Sequence, residues 1–486
     1  MQKRTFVSKV FQMSSVMLFL NISNICYNIY VSKRAGAQGI GMFHLVMSVY
    51  SLAVTFSASG IGLTATRLIS DMPLSLASKC ADSVVKKCIK LISVPAGIMA
   101  CIIFCGSDFI AKYFLGNIEC AICLKFLAAT LLFTAFSSVT TGYFTAFGKV
   151  SAISFGKFVS ETLVWLSTLY FLKVFPKDKT YMAVVSALCI GVVSESLCLV
   201  ILWRHSSNPL YCKNGTDYKA ILRLCTPIAI GSYLRTGLAS AENLLIPVML
   251  ASFGVLNPVA QYGVIKGMTL PILMFPYVFT GAFTSLIVPE IARRRSLGYK
   301  NGIKYISGLS VEYILKFGIL VSGIFFKWHN FLGDRFFGMP DAGKYLGFLF
   351  VFPVFYFCDS VVDSVLKGMD EQVTSLKINV VDSICRVICT VVFIPMFGMA
   401  AYIGIMYLSE IINLGFSYKK LKSTTNLKFP LKKGVVLPFF AICIALGILN
   451  FVSVGNPWGD MCFLAAIYIM SQSICRLVLN KIWICR

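Results

Sequence analysis

Apolar residues in this 486-residue chain fall into blocks separated by short segments that carry most of the charge. A helix rises 1.5 Å per residue, so a block of about 20 apolar residues crosses the ~30 Å hydrocarbon core of a bilayer. The blocks predict spans near 6–31, 40–64, 89–110, 121–146, 153–175, 181–203 and 221–250. A second series lies near 262–289, 305–328, 344–366, 375–396, 398–417, 435–454 and 459–480. The pattern is that of an all-α polytopic membrane protein with about fourteen transmembrane helices. The first block follows a basic N-terminus, but it is longer than a signal peptide's apolar region and runs through Asn21, Asn24 and Tyr27 without a small-residue cleavage site, so it reads as a retained helix.

Composition agrees with that pattern. Apolar residues make up 57% and charged residues 13% of the chain, where soluble domains carry about 25% charged. The formal net charge is +24, which in a soluble protein would point to nucleic acid. Here the excess sorts by loop. About 29 cations fall on one side, in the N-terminus, 67–90, 149, 204–223, 293–304, 367–377, 419–433 and the C-terminal end, against about 10 on the other side. Lys and Arg are retained in the cytoplasm during insertion, so both termini are expected there and no nucleic-acid partner is needed. The 18 cysteines are mostly single residues inside spans, where Cys packs as a small apolar group. Cys120 and Cys123 have no second pair or nearby His to complete a metal site.

The chain repeats its plan at a period of about 215–220 residues. A long helix followed by Gly39 to Phe43 answers Pro227 to Leu250 followed by Gln261 to Gly263. Further on, Gly142-Tyr143-Phe144 and a span with Glu161 answer Val365 to Gly368 and a span with Asp382. Two pseudo-symmetric six-helix lobes around a central cavity are therefore expected, a common transporter plan. The expected divisions are an N-terminal lobe at 1–203, a cytoplasmic linker at 204–220, a C-terminal lobe at 221–417, and a basic loop with two appended helices at 418–486.

Ionisable groups inside a bilayer are costly and should face a protein interior or a watery cavity. Lys157 and Glu161, Glu312 and Lys316, and Asp382 and Arg386 are each four apart, on one helix face. Asp359, Asp363 and Lys367 form a stripe through two turns, and Arg235 and Glu242 share span 7. Such pairs either neutralise each other and lock helices, or line a shared cavity; the stripe favours the cavity, because one pair would have sufficed for packing. Asn21, Asn24 and Asn28 make a polar face on span 1 that meets other helices or water. A lone His44 in span 2 reads first as a packing residue. Prolines at 227, 247, 271, 276 and 353 allow bends within long spans. No phosphate-binding glycine loop, His-Glu-x-x-His motif or soluble domain is present, so neither an enzyme nor a bound cofactor or metal is expected.

Tyr233-Leu234-Arg235, Glu242 to Pro247, Tyr262-Gly263, Gly267 to Leu273 with Phe275-Pro276, and Leu286 to Ile291 together resemble the stage V sporulation protein B family of spore-forming bacteria. Gly41 to Val46, Val49 to Leu52, Ser59-Gly60-Ile61 and Thr66-Arg67-Leu68 extend the resemblance through the first half. That family belongs to the superfamily of multidrug, oligosaccharidyl-lipid and polysaccharide exporters. The resemblance implies an alternating-access flippase of a bacterial cell membrane, carrying an undecaprenyl-pyrophosphate-linked sugar such as the peptidoglycan precursor lipid II for spore cortex or envelope synthesis. Membrane lipids and cell-wall synthesis enzymes are the further partners it suggests. The chain departs from the family where Trp165 stands four residues after Glu161 in place of an arginine.

A sugar pyrophosphate head cannot shed its water in hydrocarbon, so a wet cavity with a few cations must shield it. Arg235 and Lys266 are the candidate pyrophosphate contacts, with Asn24, Glu242, Asp359, Asp363, Lys157, Glu161 and Arg386 as further cavity candidates. Asp359, Asp363 and Asp382 are candidates for coupling to Na+ or H+. The competing readings are an Na+- or H+-coupled drug or metabolite antiporter of the same superfamily, and a non-transporting scaffold for cell-wall enzymes.

Overall fold

The computed structural model describes residues 2–176, 179–206, 217–452 and 455–484, with side chains described outside 2–18, 74–79, 150 and 474–484. The middle of the expected linker, residues 207–216, therefore lies outside the described residues. The regular elements are helical: α1 (Gln2–Ala58), α2 (Ile61–Ser70), α3 (Leu74–Tyr113), α4 (Cys120–Ala146), α5 (Val150–Val174), α6 (Thr180–Ser206), α7 (Tyr218–Ser252) and α8 (Pro258–Gly263). A π-helical turn, Val264–Thr269, leads into α9 (Leu270–Met274), α10 (Tyr277–Ser296), α11 (Lys300–Phe337), α12 (Pro340–Phe348) and α13 (Phe352–Gly368). Then follow α14 (Gln372–Thr425), a second π turn Leu431–Val436, α15 (Leu437–Phe451) and α16 (Pro457–Ile484).

Among the described residues seven helices are long and apolar enough to cross a membrane, or nine when two bent pairs each count as one span. Two of the seven are too long for one crossing. At 1.5 Å per residue the 54 residues of α14 reach about 80 Å, far beyond the ~30 Å core. Each long helix is broken by a single glycine, Gly36 in α1 (φ 66°, ψ 178°) and Gly398 in α14 (φ 59°, ψ −137°). Only a residue without Cβ adopts those angles readily, so the chain kinks there without a loop. The sequence pattern separates spans at 6–31 and 40–64, which predicts a loop carrying Lys33 and Arg34 between them. With both helices split and α5, α7 and α16 included, fourteen arms result, and the protein is an all-α, multi-pass membrane protein.

Several helices run past their apolar blocks. α3 starts at Leu74 rather than near 89 because its charged first turns are amphipathic: Asp82 and Lys86, four apart, close at 2.7 Å. The expected span at 344–366 is the bent pair α12 and α13, turned by 60° ahead of Pro353.

The contact pattern divides the chain into two compact units, Met1–Gly267 and Met268–Arg486. Unit 1 holds α1 to α8, and a buried apolar core gathers Ile61, Ala65, Val84, Cys88, Val139, Phe144, Leu199 and Ile221 from α2, α3, α4, α6 and α7. Since lipid tails are as apolar as Leu, close packing rather than burial holds such helices together. The seam between α1 and α8 shows this: a Cβ on Gly263 would strike the Ala37 carbonyl, and one on Gly41 the Val259 carbonyl. In unit 2, α11 packs on α12, α13 and the second π turn, while α13 also meets α10 and α14. Tyr468 on α16 donates to the Lys316 carbonyl at 2.8 Å, tying the last helix to α11. Large apolar side chains such as Phe109, Phe158, Phe393 and Phe440 are exposed on the outer faces, as a lipid solvent allows.

Candidate functional site

Each unit contains a polar cluster inside its helices. In unit 1, α1, α5 and α6 enclose a cavity of about 240 Å³ lined by Leu20, Asn21, Asn24, Lys157, Ser160, Glu161 and Glu195. The predicted candidates Asn24, Lys157 and Glu161 thus come together. Lys157 and Glu161 do not close an ion pair across their turn; Glu161 is hydrogen-bonded by the Asn24 side chain, with Lys157 near enough to act only through its field. Asn28 Nδ2 donates to Asn24 Oδ1 at 2.8 Å and so orients that amide. Ser160 Oγ donates to the Gly191 carbonyl at 3.0 Å, holding α5 against α6. Glu195 is the residue that helix-periodicity arguments missed, because no opposite charge stands four residues from it.

Trp165, where the family pattern places an arginine, packs edge-on against Tyr27 at 5.4 Å, and its Nε1 donates to Ser23 Oγ at 3.1 Å. Tyr27 Oη and Thr168 Oγ1 share a hydrogen bond at 2.9 Å. The α1–α5 seam beside the cavity is therefore an aromatic and hydroxyl contact where a cation would otherwise stand.

The remaining unit 1 candidates are dispersed. Arg235 is exposed on α7, whereas Glu242, two turns on, is 3% exposed. Lys266 lies in the π turn, a geometry that recurs at functional sites. Pro271 supplies no N–H to that turn, and the Gly267 carbonyl there accepts from Ser32 Oγ at 3.0 Å. His44 lies within electrostatic reach of Lys266.

Unit 2 contains a longer network. Lys367 pairs with Asp363 at 2.6 Å, and Ser375 Oγ donates to the same carboxylate. Asn379 Nδ2 donates to the Ser375 carbonyl at 3.0 Å, and Asn413 Nδ2 to Asn379 Oδ1 at 3.1 Å. The Ser417 hydroxyl lies between Asn413 and Asp359. Beside this chain, Ser409 Oγ donates to Asp382 Oδ1 at 2.7 Å, and Glu410 stands in the field of Asp359, Asp382 and Arg386. Three helical arms thus join through polar groups: α13 and the two halves of α14 on either side of Gly398. Four carboxylates (Asp359, Asp363, Asp382 and Glu410) face two cations, Lys367 and Arg386. Asp382, Asn413 and Ser417 are buried, and Asp359 Oδ1 is buried without a hydrogen bond among the described residues. The stripe of Asp359, Asp363 and Lys367 is brought together with Asp382 and Arg386, while Glu410, Asn379 and Asn413 had not stood out in the sequence.

Elsewhere, Glu312 and Lys316 form a packing pair at 2.5 Å on α11. Cys120 and Cys123 are buried free thiols, Cys80 is disulfide-bonded, and among the described residues no group of His, Cys, Asp and Glu could hold a metal ion.

The fold is a many-helix membrane protein with ionisable groups gathered inside its helices. A family description, Polysaccharide biosynthesis protein, matches residues 6–282, and the chain belongs to that family. It is 19% identical over 380 residues to sporulation protein YkvU of Bacillus subtilis, covering 75% of this chain and 82% of that protein. Among solved structures, the lipid II flippase MurJ superposes with a TM-score of 0.75 at 12% identity, covering 98% of this chain and 99% of that one. A multidrug resistance MATE family transporter of the MOP superfamily gives a TM-score of 0.68 at 16% identity, covering 85% and 99%. The fold is that of MOP-superfamily flippases and transporters.

Proposed function

We propose that the protein flips an undecaprenyl-pyrophosphate-linked sugar, of the peptidoglycan-precursor class, across a bacterial cytoplasmic membrane by alternating access. The observation that carries this reading is the polysaccharide-biosynthesis family match, supported by likeness to a lipid II flippase over nearly the whole chain. Two six-helix lobes with α15 and α16 appended, and both termini cytoplasmic, complete the proposed arrangement. Arg235, exposed on α7, and Lys266, in the π turn, are the proposed pyrophosphate contacts, Arg as a bidentate fork and Lys as a point charge. The sporulation relative supports a role in spore envelope synthesis.

Coupling is assigned to the unit 2 network. An excess of carboxylates over cations, with Asp359 at its inner end, suits exchange of H+ or Na+ as the helices on either side of Gly398 shift. The same excess favours a second reading, a cation-coupled antiporter of organic cations.

The test uses the full chain in vesicles with a lipid II analogue and, separately, an organic cation. Arg235→Ala and Lys266→Ala are expected to reduce flipping by about tenfold each, the scale of one lost charge-assisted contact. Full flipping in both variants rejects these contacts. Cation uptake without lipid flipping rejects the flippase reading in favour of the antiporter, and neither activity rejects both.

A further inference from the structure

A second cavity in unit 1, of about 610 Å³, opens between the end of α1, α2, α3 and α7. Its floor is closed by Ile61, Ile92 and Ala229, all buried. That floor depends on the break between α1 and α2: Gly60 (φ 79°) sits so close to α7 that a Cβ there would lie 2.9 Å from the Cys225 carbonyl. The walls are apolar and open, with Val94 63%, Leu222 47% and Ile230 51% exposed.

The two ends differ. At one end Phe56 stacks on Tyr233, centroids 4.6 Å apart, and the Tyr233 hydroxyl donates to the Phe56 carbonyl at 3.4 Å, so the groove stops in a closed aromatic end. At the other end stand Lys90, which lines the groove, and Lys87, whose ammonium lies 5.8 Å from the centre of the lining Tyr218 ring. Lys219 and Arg223 are exposed on the first turns of α7 beside them. Of the acids in this stretch, Asp82 is paired with Lys86 at 2.7 Å. Among the described residues no carboxylate pairs with Lys90. The loop charge bias places this end at the cytoplasmic leaflet, where anionic lipids are concentrated.

We propose that this groove is a binding site for one anionic phospholipid, its acyl chain lying along Leu91, Val94, Leu222 and Ile230 toward the Phe56–Tyr233 end, and its phosphate held by Lys90 at the cationic end. The apolar length suits a single chain, and the cations at one end suit a phosphodiester. A zwitterionic lipid brings a choline cation to a cluster that already carries several positive charges. Its test reads lipid labelling and does not depend on what the transported substrate is.

The experiment uses the full chain in vesicles with phosphatidylglycerol or phosphatidylcholine carrying a photoreactive diazirine in one acyl chain, with labelled residues mapped by mass spectrometry. Phosphatidylglycerol is expected to label Leu91, Val94, Leu222 or Ile230, and phosphatidylcholine to label them no more than lipid-facing Phe109 and Phe158. Lys90→Gln removes the cation that lines the groove's open end and should lower groove labelling about fivefold. Ile230→Trp, which fills the groove and leaves the cations in place, should lower it too. Equal labelling by both lipids, or labelling unchanged in the lysine variant, makes the groove ordinary annular surface and overturns the proposal. Preferential labelling by a diazirine polyprenyl phosphate over phosphatidylglycerol overturns it in favour of a carrier-lipid site.

Discussion

The polar clusters of the two units use similar residues in opposite ways. In unit 1, Asn24, Glu161, Lys157 and Glu195 surround open space, and the charges do not satisfy one another directly. In unit 2, Lys367, Asp363, Ser375, Asn379, Asn413 and Ser417 bond in an unbroken sequence, and Asp359 stands beside its Ser417 end. A filled network in low dielectric is strong while complete and costly when broken, because every remaining member stays buried. A cluster around a void can lose a member and let water take its place. Unit 2's polar groups should therefore carry stability and function together, and unit 1's should carry function almost alone.

The most severe break in this contrast is Asp382→Ala. It deprives Ser409 of its acceptor and removes a carboxylate from beside Arg386, so thermal unfolding of the purified chain in detergent should show a loss of about 3 kcal/mol, with transport abolished. A loss as small as that of the unit 1 variants would end the distinction. Glu161→Gln with Glu195→Gln is the matching change in unit 1. Transport in vesicles should fall by about tenfold while stability changes by less than about 1 kcal/mol. Trp165→Phe then tests the seam beside that cavity: the ring contact with Tyr27 remains but the Ser23 hydrogen bond is lost, at a cost of about 1 kcal/mol in the same unfolding assay.

The smallest effect lies outside the bilayer. Lys179 donates to Glu119 Oε1 at 2.6 Å between the loop after α3 and the start of α6, and that contact holds the Glu119 carboxyl below its ordinary value of 4.5. A lowered carboxyl contributes stability that is fully present above the ordinary value and fades as pH falls through the lowered one. The pair is exposed to water, so its share is slight. Glu119→Gln should flatten the acid limb of the unfolding curve, as pH falls below the ordinary value of 4.5, by a small, salt-sensitive amount, and an unchanged limb would remove this pair from the account.

Much of the fold was legible beforehand, because a bilayer demands long apolar runs that pattern alone reveals. What pattern obscured was the fate of charged turns: Asp82 and Lys86 read as loop although they extend α3, and Lys33-Arg34 read as loop although one glycine kinks a continuous helix at Gly36. The clusters were half legible. Periodicity links residues on one helix, so it found Lys157 with Glu161 and Asp359 with Asp363. It passed over Glu195 and Glu410, whose companions lie on other helices.

By itself the sequence determined the solvent, the number of helical arms and which charges would need shelter, because each follows from composition and from spacing along one axis. Which carboxylate meets which amide was decided only in three dimensions. Gly398 folds α14 back on itself so that Asn413 reaches Asn379 across 34 residues of chain. Hydrogen bonds act over about 3 Å, and only the packing of helices brings such distant residues within that range.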